Sequence, residues 1–506
     1  MSDGGRPPSI LILGGGTAGW MAANLFQHRW GTLGTRVALV ESSEIGIIGV
    51  GEGSTPQLKA FFDTIGISEQ EWMPRCNATY KAGIRFIDWS DRPGFDRYFH
   101  PFLTTADAHT ANKFFYNTRA RRTGRDVWAH PDRFFLNTAL ARKRLAPLAP
   151  ADAAFQASYG YHFDAVLLGR YLKEVATGRG VEHVDAKIAS VELGENGDAI
   201  ALEAEDGRRF EAEFFVDASG FRALIIEQSL GEPRRSFADN LFNDRAVVAP
   251  TPLPDEGPGC CTLATAKSAG WIWHIPLTSR IGNGYVYSSR YIDPDEAAAE
   301  LRAHLGLAND AEVRHLEMRV GRLERSWVSN CLAIGLAQGF LEPLEATALH
   351  IVLTTVDEFI AEVDSQGMEE AARSRFNDAT ARRYEGIRDY IVCHYRTQLR
   401  RDTDYWRDAA AMTELSDSLK GIISAWFSGG ELDREVAEQD IGGYYSAVSW
   451  HCMLAGYGNF PDASKLRPPG PDIVPVDMDE IDRFIAECAK TFRPHSEALG
   501  MLEDAA

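Results

Sequence analysis

"SILILGGGTAGWMAANLFQ" (residues 9–27) decides the fold. Ile10 to Leu13 form a short, unbroken apolar run that meets three consecutive glycines and then a helix-like stretch. The run reads as a buried strand, the glycines as a turn and the remainder as a helix. Gly14-x-Gly16-x-x-Gly19 therefore sits between strand and helix. There each glycine has its own reason: a tight turn, close approach of backbone to a pyrophosphate, and close helix–strand packing. Thr17 and Ala18 open the helix, whose unpaired N–H groups and positive dipole end suit phosphate. "TRVALVES" (residues 35–42) is a second buried strand, closed by Glu41, an acid placed to accept hydrogen bonds from a ribose. A merely structural glycine turn explains the glycines but not strand, helix and acid together.

Two later segments extend this unit. "FFVDASGFRAL" (214–224) is an apolar strand ending in Asp217, and "NCLAIGLAQGFLEP" (330–343) is another, followed by Gly335 and Gly339. That spacing is the one expected of a single discontinuous FAD domain. Two ordinary core strands would account for the hydrophobicity but not the glycines. No second GxGxxG seats a nicotinamide nucleotide, so reduced flavin is expected to arrive from outside. "DAVLLGRYLKEVATGRG" (164–180) reads as a helix, residues 181–220 as strands with hairpin turns, and about 260–320 as β-rich. "ATALHIVLTTVDEFIAEV" (346–363) reads as a long amphipathic helix, and the chain beyond about 365 as mainly helical. The expected organisation is a discontinuous FAD-binding module over 1–365, with an inserted substrate-side segment at about 85–160. A mainly helical, substrate-covering part follows over 366–506.

Composition narrows the partners. The 506-residue chain is 45% hydrophobic and 25% charged, as in globular proteins generally. A formal charge of −20 opposes binding to nucleic acid or anionic lipid. No apolar run approaches the roughly 20 residues a membrane span needs. "MSDGGRPPSI" lacks the pattern of a secretory signal, and seven scattered cysteines without a CxxC pair form no disulfide framework. A reduced, cytoplasmic setting is expected.

Some residues stand out without yet declaring a role. Lys81 heads "KAGIRFIDWS" (81–90), a strand-like alternation, where a surface cation is the ordinary reading. "GWIWHIP" (270–276) carries Trp271, Trp273, Ile275 and Pro276, read by itself as an aromatic core strand. Glu345 would by itself be a helix N-terminal acid favoured by the dipole.

Together, the glycine motif and W-x-W-x-I-P resemble the flavin-dependent halogenases of the tryptophan-halogenase family. "GVGEGSTP" (49–56) resembles the family's flavin-contacting strap, usually GEAT-x-P, with Gly51 and Glu52 matching and Gly53 and Ser54 standing where Ala and Thr are usual. "YFHPF", "GYHFDA" and "GFLEPLEATALH" resemble family segments as well. The resemblance is close over residues 8–360 and looser beyond. It implies an α/β fold with an FAD-binding Rossmann-like core of the GR2 flavin-monooxygenase type. An antiparallel substrate sheet and a mainly helical C-terminal part complete it.

The resemblance also implies a division of labour. Reduced FAD, O2 and halide yield hypohalous acid, and a tunnel carries it to a lysine beside an aromatic substrate. Lys81 matches that lysine and Glu345 the catalytic glutamate. Leu344 falls with the flavin contacts, and Thr347 and Ala348 at the halide. Trp271, Trp273, Ile275 and Pro276 would wall the tunnel. His100, Phe102 and Trp450 would line the substrate pocket, although His100 reads equally as a packed core histidine. The family usually has Ser-Thr-Gly after the glutamate; here Ala346-Thr347-Ala348 follows. Alanine for glycine at 348 adds a methyl and restricts positive φ, so bromide is expected to be used better than chloride. The groups that would grip an amino acid's charged ends do not align, which favours indole or another small electron-rich arene over free tryptophan. A separate NAD(P)H-dependent flavin reductase and a monomer or homodimer are expected. The alternatives are a single-component flavin monooxygenase and a non-catalytic nucleotide-binding protein.

Overall fold

The computed structural model describes residues 7–45, 49, 51–150, 153, 155–471 and 473–504. Val50 of the strap motif and the first six residues, on which the absence of a signal was partly read, lie outside these.

Strand β1 (Ile10–Leu13) is buried at every position and leads through the glycines into helix α1 (Thr17–Trp30). It pairs in parallel with β2 (Val37–Glu41) on one side and with strand Phe214–Asp217 on the other. The resulting six-stranded sheet runs Trp327–Val328, Cys331–Ala333, Phe214–Asp217, β1, β2 and, at its far edge, the strand Glu182–Asp185. All its pairings are parallel except the first. The three segments read as one discontinuous nucleotide unit are thus adjacent strands of one sheet. Apolar runs without alternation suit such a sheet, which is covered on both faces.

Strand β3 (Gly51–Gly53) joins a small antiparallel sheet with β7 (Gly160–Asp164) and β4 (Thr79–Lys81). A seven-stranded sheet lies beyond it, in the order Arg314–Glu317, Arg245–Thr251, Ile281–Tyr287, Gly270–Pro276, Thr262–Lys267, β5 (Gly83–Ile87), β6 (Arg97–Pro101). Its pairings are antiparallel except that of Thr262–Lys267 with β5. The region read as β-rich also holds a helix, Pro294–Leu305, capped by Asp293 and ended by Gly306 at φ +66°. Asp-Pro at its start and glycine after its end are the signals that mark it.

After residue 366 the described elements are all helical, from Glu370–Thr397 to His495–Glu503. The first of these supplies Tyr390, Tyr395 and His394 to the main core, against Trp89, Trp271 and Trp450. No helix among the described residues is long and apolar enough to cross a membrane.

Candidate active site

The cofactor cradle forms at the C-terminal ends of the parallel strands, where open α/β sheets bind ligands. Gly14 has φ +117°, and a Cβ there would lie 2.2 Å from the Ala218 carbonyl oxygen. A Cβ on Gly19 would lie 2.0 Å from the Gly14 carbonyl oxygen, so α1 can pack on the turn only without a side chain. Gly16, the N-cap of α1, faces open space and no side chain caps the helix, which leaves its first N–H groups bare. These features fit the pyrophosphate of a dinucleotide such as FAD.

Glu41 Oε1 lies 2.8 Å from Lys173 Nζ and 3.0 Å from His183 Nε2, while its Oε2 leans over Gly15. Asp217 is buried and its carboxylate accepts from Ser219, Ile225 and Ile226 N–H groups and from the Ser219 hydroxyl. Its oxygens thus shape the loop after the strand. Gly335, at φ +60°, brings the third segment onto Ala18, which a Cβ would meet at 3.0 Å.

Lys81 is fully buried, which removes the surface reading. Two glycines make its room. Gly160, opposite it on β7, lets the Ser54 carbonyl approach, since a Cβ there would lie 2.4 Å from that oxygen. Gly53 leaves space beside Nζ, 3.3 Å from where a Cβ would be. Lys81 Nζ donates to Ser54 O at 3.2 Å and stands 5.4 Å from the Phe102 ring centroid. Burial pulls its pKa down to about 8, against the opposing pull of Glu345 and then Cys261. Thr79 on the same strand donates to Pro276 O at 2.7 Å, tying β4 to the end of the W-x-W-x-I-P strand. His162 bridges Thr79 and Thr262 at 3.0 Å each, beneath the lysine.

Glu52 is a different case. By strand alternation it projects from the face of β3 opposite Gly51 and Gly53. Burial, then Asp164, pushes its carboxyl up to about 7.

Glu345 ends the turn Pro343–Glu345, and its neighbours Leu344 and Thr347 are buried. Its Oε1 is 2.9 Å from His394 Nε2 and 3.4 Å from His100 Nδ1. Burial raises the carboxyl pKa, but His100 and His394 outweigh it and hold the group at about 2. His100 is therefore a partner of the glutamate rather than packing alone. The expectation about Ala348 needs correction. Ala348 opens helix Ala348–Gln366, and the left-handed residue of the motif is Ala346, at φ +55°. The methyl at 348 carries no positive-φ strain; it is exposed at the helix start.

Trp271 and Trp273 are buried on one face of their strand, ring centroids 6.3 Å apart. Gly284, across the sheet, leaves room for the Trp273 ring. Ile275 reaches the strap, in contact range of a Cβ on Gly51. Trp271 Nε1 donates to Glu342 Oε2 at 3.0 Å, and this buried acid also accepts from Asn243 and Tyr395. Trp450 packs edge-on to Tyr390, which stacks on Tyr445 at 3.5 Å.

Lys81 with Phe102, His100 with Glu345, and Trp450 through Tyr390 thus belong to one connected cluster of buried polar and aromatic side chains. Sequence reasoning missed His394, Tyr390, Tyr457, His162 and Glu342. A histidine among apolar residues in "YIVCHYRT" (390–397) was a usable signal, since buried polar groups need partners.

The sequence profile of the tryptophan halogenase family matches residues 9–467. The chain belongs to this family. The tryptophan 6-halogenase SttH of Streptomyces toxytricini is 37% identical over 443 residues, 83% of this chain and 84% of that protein. The tryptophan 7-halogenase RebH of Lentzea aerocolonigenes is 33% identical over 495 residues, 92% of each chain. The crystal structure of SttH superposes with a TM-score of 0.83, at 32% identity over 99% of this chain and 100% of that one. BrvH, a flavin-dependent halogenase from Brevundimonas sp. BAL3, gives 0.82 at 32% identity, over 98% and 99% of the two chains. As a tryptophan halogenase family member the chain is an FADH2-dependent halogenating oxidoreductase. The alternatives of a single-component monooxygenase and a non-catalytic protein fall away.

Proposed function

We propose that this enzyme halogenates an electron-rich arene such as indole or tryptophan, with Lys81 relaying halogen and Glu345 receiving the ring proton. The observation that carries this is a fully buried lysine, brought down to about 8 and coupled to an ionised glutamate. Reduced FAD, when bound, supplies the reducing equivalents by which O2 and halide yield hypohalous acid. Gly14, Gly16, Thr17, Ala18, Gly19, Glu41, Gly51, Glu52, Ser54, Gly335 and Leu344 would hold the flavin, with Asp217 shaping the adjoining loop. Backbone N–H groups at Thr347 and Ala348, at a helix start, suit the halide. A separate NAD(P)H-dependent reductase would deliver the reduced flavin.

A neutral Lys81 amine takes the halogen from hypohalous acid, and its displaced proton leaves with the oxygen as water. The halogen then passes to a ring carbon, and the ring C–H proton goes to the Glu345 carboxylate and from it to Nζ, which restores the amine. The carboxylate also stabilises positive charge on the ring. The Trp271 and Trp273 wall keeps the arene from the flavin, and the helical part beyond 366 covers it. SttH and RebH are tryptophan halogenases by name, which supports the indole ring. Bromide is proposed over chloride because it is easier to oxidise, so a poorly fitted halide pocket penalises it less. The test is incubation with FAD, an external reductase, bromide and an arene panel, read by mass shift. No halogenated product from any indole would sink the reading.

A further inference from the structure

We propose that His394 and Tyr457 form a positioning pair that keeps Glu345 ionised and aimed, by fixing which histidine nitrogen bears the proton. This rests on the reading of Glu345 given above.

His394 is fully buried on helix Glu370–Thr397. Phe86 stacks on its ring at 4.7 Å, and Trp89, Tyr390 and Tyr457 meet it edge-on, so it has one orientation. Its Nδ1 lies 2.6 Å from the Tyr457 hydroxyl and its Nε2 lies 2.9 Å from Glu345 Oε1. The second contact is close but does not reach hydrogen-bond alignment, so it acts as a short contact between the ring N–H dipole and the carboxylate charge.

The tautomer follows from these partners. Tyr457 is buried, and burial holds its hydroxyl well above the ordinary tyrosine range, so it stays protonated. A tyrosine O–H donating to Nδ1 leaves the ring proton on Nε2, against the carboxylate. The other tautomer would set a nitrogen lone pair beside an anion. Burial, partly offset by Glu345, disfavours protonation of His394, so the neutral ring does this work.

Other titratable groups facing Glu345 come from every side. They are His100 and Tyr98 on β6, Lys81 on β4, Tyr390 on the same helix as His394, and Tyr445 and Tyr457 from the covering segment. Of these, His100 and Lys81 favour the ionised carboxylate, whereas ionised tyrosinate would oppose it. His100 Nδ1 also reaches Oε1, at 3.4 Å, and His394 Nε2 makes the shorter contact, at 2.9 Å.

The experiment compares Tyr457→Phe, His394→Gln, His394→Phe and Glu345→Gln by steady-state bromination across pH, with flavin oxidation and thermal unfolding recorded in parallel. Tyr457→Phe is expected to lower kcat about tenfold, the worth of one hydrogen bond, with the KM of the arene little changed. An acid limb should appear in kcat and move toward the ordinary carboxylate range. His394→Gln, which retains an N–H donor, should recover activity relative to His394→Phe. Wild-type pH profiles in Tyr457→Phe and His394→Phe, with Glu345→Gln inactive, would overturn the inference alone. Full activity of Glu345→Gln would overturn the underlying reading instead. A fall in activity that merely follows thermal unfolding, without the limb or the Gln recovery, would also overturn the pair.

Discussion

The Glu345 carboxylate is the largest charge acting against the burial of the Lys81 ammonium. One residue ends a short strand behind the strap; the other ends a turn before a long helix. Folding alone joins them, and it makes the glutamate strongly acidic and the lysine weakly basic. Lys81→Ala is expected to abolish aryl halogenation while flavin oxidation continues. Mass spectrometry of arene products beside a flavin absorbance trace checks both, and bromination at the wild-type rate would sink the relay.

The same burial has a cost in stability. A lysine at about 8 in the folded state, against an ordinary 10.5, binds fewer protons than the unfolded chain between those values. Stability therefore rises with pH across that window, and below it the full penalty, on the order of 3 kcal/mol, applies. Lys81→Met should be more stable than wild type at pH 7, and the gain should shrink as pH approaches 10. Unfolding midpoints in denaturant at the two pH values measure this. A Met variant that is no more stable at pH 7 would contradict it.

These properties were unequally legible in the sequence. The strand-turn-helix of residues 9–27 could be read from its run of apolar residues and glycines because strand, turn and helix follow one another in the chain, although α1 also packs on the distant helices Ala165–Gly178 and Ala348–Gln366. Lys81 could not be called buried from "KAGIRFIDWS", since its pocket is made by Gly53, Ser54 and Gly160, distant in the chain. Glu345 was found through its motif, but its acidity comes from His100 and His394, one on either side in sequence. Positive φ was expected at Ala348 and lies at Ala346 because the turn closes before the helix begins.

Glu345→Gln should stop arene halogenation by removing the proton acceptor, with the arene still bound. It should also cost stability. The folded carboxyl, at about 2 against 4.5, contributes stability that is present above the unfolded value and lost as pH falls through the folded one. At pH 7 the loss is on the order of 3 kcal/mol, while below pH 2 variant and parent converge. Denaturation at pH 7 and product analysis test the two parts separately.

Ala348→Gly probes the halide. Removing the methyl at the start of helix Ala348–Gln366 should raise turnover with chloride relative to bromide. The glycine cost within the helix's first turn is at most about 1 kcal/mol. Parallel assays in the two halides give the ratio for variant and parent. A parent that uses chloride as well as bromide would remove the premise.

Gly16 and Gly19 separate cofactor binding from folding. A Cβ on Gly19 would press on the Gly14 carbonyl oxygen at 2.0 Å, backbone that cannot yield without moving α1 off β1. Gly19→Ala should therefore lose both FAD affinity and stability, the latter by about 1–3 kcal/mol. A Cβ on Gly16 meets nothing, and Gly16 already has φ −70°, which alanine adopts freely. Gly16→Ala should thus stay within about 1 kcal/mol of wild-type stability, since alanine is the poorer N-cap but restricts the unfolded chain. Its methyl would nevertheless project where the backbone must approach the pyrophosphate, so FAD affinity should fall at least tenfold, a loss of about 1.4 kcal/mol. Flavin fluorescence titrations beside thermal melts distinguish the two variants. Wild-type FAD affinity in Gly16→Ala would show that the phosphates sit elsewhere than at the start of α1.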